Sequence, residues 1–131
     1  MRDGCQAEVQ LPGEPSSVPA ARRFVRGVLT DWGQGLLVDD AVLVLSELVT
    51  NAVLHGQGEV TARVSVARDG SVQVEVLDHS ARLPRMRGYG EESATGRGLR
   101  MVADLSDDWG VEPSVDGKRV WARLRPGQGA A

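Results

Sequence analysis

The chain of 131 residues has a single cysteine, no long apolar run and no marked excess of either charge. Cys5, standing alone, excludes an intrachain disulfide and a cysteine-based zinc site. No stretch approaches the ~20 apolar residues that a helix needs to cross a bilayer. The opening MRDGCQAEVQ also lacks the apolar core of a secretion signal, so a cytoplasmic protein without a membrane partner is expected. A net charge of -3 offers no generic attraction to nucleic acid, and direct nucleic-acid binding is disfavoured. No internal repeat is evident. What remains is 41% hydrophobic and 25% charged residues, the composition of a globular protein with one core. The expected organisation is a flexible or edge-strand N-terminus over 1–15, a single domain over 16–125 and a disordered tail over 126–131.

Periodicity divides the domain into elements. Ser16 or Ser17 can cap a helix with Pro19 in its first turn, and Val18, Ala21, Val25, Val28 and Leu29 follow at helical spacing until Gly33. A second helix is predicted from about Leu36 to Leu54, stopping at His55 and Gly56. The period then changes to two. VTARVSVA and SVQVEVLD alternate valines with polar residues around a turn at Asp69-Gly70. A second hairpin is predicted from about Trp109 to Val115 and Arg119 to Leu124, joined at Asp116-Gly117. Between the hairpins lies HSARLPRMRGYGEESATGRG, without periodicity and of a length usual for a lid or binding loop, followed by a helix from about Arg97 to Leu105. Antiparallel strands with one apolar face need a cover, and three helices can supply it. The expected fold is therefore α+β, a two-layer α/β sandwich of a mainly antiparallel sheet covered on one face.

Three features bear on chemistry. On the second helix, Ala41, Leu45, Leu48 and Ala52 form the buried stripe, with Glu47 and Asn51 on its flank one turn apart. As an isolated pattern this pair reads more often as a solvated glutamate and a helix-end amide than as a functional pair. Asp78 closes an apolar strand, where a carboxylate can start a turn or accept a hydrogen bond from a base amino group. TGRGL, from Thr95 to Leu99, puts two glycines before a helix, which allows close backbone approach and aims free N–H groups at an anion, or simply makes a hinge. His55 and His79 read as packing or loop residues, and Trp32, Trp109 and Trp121 as core and edge residues.

In combination, ELVTN on a helix, an aspartate ending the second strand of a hairpin and GRGL opening the next helix resemble the N, G1 and G2 boxes of the GHKL ATPase superfamily, whose domain is the Bergerat ATP-binding fold. SELVTNAVLHG, TGRGLRMV and DDWGV with GKRVWARL most resemble the small anti-sigma factor serine/threonine kinases, over roughly residues 15 to 125. The resemblance implies Mg²⁺ ligation by Asn51 and general-base action by Glu47. It also implies recognition of the ATP adenine amine by Asp78, with Ser80 close to the base. Phosphate contacts would come from the segment Thr95, Gly96, Arg97, Gly98 and Leu99, and a further donor from one or another of Arg82, Arg85, Arg87 and Arg97, the rest being solvated. The implied cofactors are ATP and Mg²⁺. The implied partners are a sigma factor and a small anti-anti-sigma antagonist protein, with a homodimer as the assembly.

One departure opens an alternative. Where the family's G1 box reads D-x-G-x-G, this chain has Asp78-His79-Ser80-Ala81-Arg82, without either glycine. That change favours a non-catalytic ATP-binding or partner-binding regulatory module. A detached histidine-kinase catalytic domain is a third reading, disfavoured because no phosphoacceptor or sensor segment is evident.

Overall fold

In the computed structural model, residues 5–55, 58–79 and 94–126 are described, with the backbone alone for 94–99. The alternating runs form strands where their period predicts them. β2 spans Val60–Val66 and β3 spans Val72–Asp78. Their turn contains Gly70 at φ 85°, the left-handed conformation that glycine adopts without a Cβ penalty. Asp69 accepts hydrogen bonds from the backbone N–H and hydroxyl of Ser71 at 2.9 and 2.6 Å, which fixes the turn. These bonds hold the Asp69 carboxyl below its usual range.

β1 (Cys5–Leu11) is an edge strand paired with β2, and the second hairpin is β4 (Asp108–Ser114) with β5 (Gly117–Leu124). All pairings are antiparallel, in the order β1-β2-β3-β5-β4. The layer above the sheet holds α1 (Ser17–Asp31), a 3₁₀ turn at Gly35–Leu37, α2 (Val38–His55) and α3 (Ala94–Leu105). This is the expected α+β sandwich. The 3₁₀ turn takes up the first residues of the predicted second helix.

Period-two parity sends Val60, Ala62, Val64, Val72, Val74, Val76, Val120, Ala122 and Leu124 to the helix-facing side, where all are buried. They meet Ala21, Val25 and Leu29 of α1 and Ala41, Leu45, Leu48 and Ala52 of α2 in one core. α2 is the central helix, packed on α1, α3 and β3.

The opposite face carries a row of charges across all five strands. Arg63 of β2 bonds Glu8 of β1 at 3.0 Å and Glu75 of β3 at 2.8 Å. Arg119 of β5 reaches Glu75 at 3.3 Å and Glu112 of β4 at 2.6 Å. Burial opposes ionisation of Glu75, but hydrogen bonds from Gln73 and Arg119 and the charges of Arg119 and Arg63 outweigh it. Its carboxyl therefore sits below the ordinary range.

Candidate functional site

Asn51 and Asp78 lie toward the same end of the domain. α2 ends at His55, and the chain reaches Val60, the first residue of β2, within a few residues. Val60 pairs directly with Asp78, the last residue of β3, and Asp78 pairs with Lys118 near the start of β5. The C-terminal turns of α2, the end of β3 and the start of β5 therefore adjoin.

Asn51 lies on α2 and is 2% exposed. Neither its carboxamide oxygen nor its nitrogen has a hydrogen-bond partner among the described residues. Buried polar side chains are normally paired, so this amide has hydrogen-bonding capacity that a bound group could meet. Glu47, one helical turn earlier, is half-buried beside the same stripe. Its neighbours Ser46 and Thr50 turn their hydroxyls onto the carbonyls of Leu43 and Ser46, at 3.2 and 2.7 Å.

Asp78 shares the inward parity of Val72, Val74 and Val76 and is 5% exposed. Its Oδ2 is 2.8 Å from Nζ of Lys118, itself 3% exposed. The seam between them is close: a Cβ on Gly117 would overlap the backbone carbonyl of Asp78. Gly117 therefore serves strand contact rather than the turn to which the sequence reading assigned it, and the turn itself falls on Val115 and Asp116. Lys118 was missed as a candidate. Its parity with Val120, Ala122 and Leu124 already points it inward, and it is the chain's only lysine among fifteen basic side chains.

α3 begins at Ala94, earlier than the predicted start at about Arg97, so Thr95, Gly96, Arg97, Gly98 and Leu99 all lie inside its first turns. The first N–H groups of a helix have no intrahelical acceptor. The N–H groups without a helical partner are then those of about Ala94 to Arg97. Ser80, Arg82, Arg85 and Arg87, and the lid expected between the hairpins, lie outside the described residues, as does most of the expected tail. No group of three or more acidic, cysteine or histidine side chains that would hold a metal occurs among the described residues. A single neutral amide on α2 is a donor set of another kind, compatible with a hard cation that takes its remaining oxygens from phosphate and water.

A cleft of about 480 Å³ opens at the other end of the sheet, beside the β2–β3 turn, with Trp32, Arg68 and Asp69 in its wall. None of the residues singled out for chemistry lines it.

The sequence pattern of the histidine kinase-like ATPase domain matches residues 11–124, nearly the whole chain. The chain belongs to that family. Among solved structures it resembles the RsbU and RsbW domains of Rv1364c from Mycobacterium tuberculosis, at 22% identity and a TM-score of 0.70 over 92% of this chain and 32% of that one. It also resembles the histidine kinase domain of the blue-light activated histidine kinase of Erythrobacter litoralis EL346, at 24% identity and a TM-score of 0.57 over 70% of this chain and 46% of that one. At these identities the likeness shows the fold, and the chain spans a third to a half of either structure's length. No curated protein matches. Membership in this ATPase family implies ATP binding. No helix is long and apolar enough to cross a membrane among the described residues.

Proposed function

We propose that this domain binds Mg-ATP at the junction of α2, β3, β5 and α3, and transfers the γ-phosphate to a serine or threonine hydroxyl of a small antagonist protein, binding a sigma factor on another surface. The observation that carries the proposal is Asn51, a buried carboxamide whose two polar atoms have no hydrogen-bond partner among the described residues. Leaving such a group unmet costs about 1–3 kcal/mol, which a ligand at this place would recover. Asn51 would supply its oxygen to Mg²⁺, whose charge, when bound, offsets that of the triphosphate.

The protein's own groups supply the rest. Asp78 accepts the adenine amine, and the N–H groups at the start of α3 face the phosphates. Glu47 takes the hydroxyl proton as the oxygen–phosphorus bond forms and the bond to the leaving ADP breaks. The likeness in fold to a chain with an RsbW domain agrees with the anti-sigma reading. The family resemblance further implies a homodimer.

A pull-down from the native host, with and without ATP, followed by incubation of each captured protein with Mg-ATP labelled at the γ-phosphate, tests this. The expected result is label on serine or threonine of a small partner and retention of a sigma factor. The missing glycines after Asp78 favour a second reading, a module that holds ATP or a partner without turnover. Nucleotide-dependent capture without any label would select it.

A further inference from the structure

Lys118 and Asp78 form a buried ion pair, each side chain 2% exposed, directly opposite each other on β5 and β3. The other fourteen of the chain's fifteen lysine and arginine residues are all arginine. Taking two opposite charges out of water is seldom favourable for stability alone, so an ion pair at this depth calls for another account. An ammonium has three donors, and the Asp78 carboxylate is the one partner of Lys118 among the described residues. Asp78 makes a further interaction besides that with Lys118, and a carboxylate offers about four acceptor positions, so these contacts need not exhaust it.

We infer that Lys118 is a second base-reading residue, donating to N1 of adenine while Asp78 accepts from the N6 amine. This rests on the assignment of Asp78 to the base. Acceptor beside donor is the complement of the adenine edge, where a donor amine adjoins the N1 acceptor. Guanine offers the reverse order, an O6 acceptor beside an N1–H donor. In the same pose it would set oxygen against carboxylate and N–H against ammonium, so both contacts fail together. The compact charge on a flexible stem suits one ring nitrogen, whereas an arginine fork is shaped for two-pronged anion contacts.

The test is calorimetric titration of the full chain with Mg-ATP, 1-deaza-ATP, purine riboside triphosphate and GTP. Here 1-deaza-ATP lacks the N1 acceptor, and purine riboside triphosphate lacks the amine. Wild-type protein should bind 1-deaza-ATP roughly 10- to 100-fold more weakly than ATP, the range of a charge-assisted hydrogen bond. Lys118→Met should bring that ratio close to one while purine riboside triphosphate stays weaker than ATP. Equal wild-type affinity for ATP and 1-deaza-ATP, with purine riboside triphosphate weaker, overturns the role of Lys118 and leaves Asp78 as the base reader. Equal affinity for all four nucleotides overturns the base assignment itself. A Lys118→Met chain that retains the wild-type ratio also overturns the inference. If that variant does not fold, the wild-type comparison alone decides.

Discussion

At the residue scale, Glu47 and Asn51 are separated by one helical turn and by chemistry: a carboxylate can take a proton, and a carboxamide cannot. Glu47→Gln keeps size and reach but removes the proposed base. ATP affinity should therefore survive, while the rate of phosphoryl transfer to a confirmed partner falls by a factor on the order of 10² to 10⁴, read from initial-rate labelling. An unchanged rate would leave Glu47 as a solvated helix residue. The pair was legible in the sequence because helical periodicity fixes which flank it occupies. That Asn51 is buried and without a partner among the described residues was not legible, because burial depends on how the neighbouring elements pack on α2. Lys118 escaped notice for a related reason. Register, which sets β5 against β3, lies beyond the period of either strand read alone.

At the element scale, the seam between β3 and β5 is set by Gly117, where any side chain meets the carbonyl of Asp78. Gly117→Ala should force the strands apart locally. The expected loss is about 1–3 kcal/mol in urea unfolding, the usual range for overpacking, with weaker ATP binding. Wild-type stability would show that the seam yields easily.

The charge row on the open face makes a pH prediction. Glu75 has a folded pKa below its ordinary value of 4.5, so its contribution is present above that value and lost as pH falls through the folded one. Unfolding midpoints should decline in acid, and Glu75→Gln should flatten that decline while lowering stability at neutral pH by roughly 1–3 kcal/mol. Parallel pH profiles for the two proteins would contradict the assignment. Strand positions were readable to within a residue or two. The row itself was not, since each glutamate and arginine alone reads as a solvated strand residue.

At the scale of the whole molecule, the two-layer architecture followed from the order of periods, helix, helix, hairpin, helix, hairpin, because an apolar sheet face admits few covers. Assembly has no comparable signal in the chain. The proposed homodimer predicts a sedimentation mass near twice the 14.0 kDa of one copy at micromolar concentration. A species of single-copy mass throughout would remove the dimer from the proposal without touching the nucleotide site.

The central claim is that Asn51 holds the metal of Mg-ATP, and the most direct measurement is a calorimetric ATP titration of wild type and Asn51→Ala, each with Mg²⁺ and with chelator. Thermal unfolding of the nucleotide-free proteins is recorded beside it. Wild-type protein should bind ATP with a clear dependence on Mg²⁺. Asn51→Ala should lose that dependence and bind at least roughly 10-fold more weakly, the loss of one charge-assisted contact. Its nucleotide-free form should be no less stable than wild type, because the change deletes a buried amide that has no hydrogen-bond partner among the described residues. Wild-type affinity and wild-type Mg²⁺ dependence in a folded Asn51→Ala protein would contradict the account.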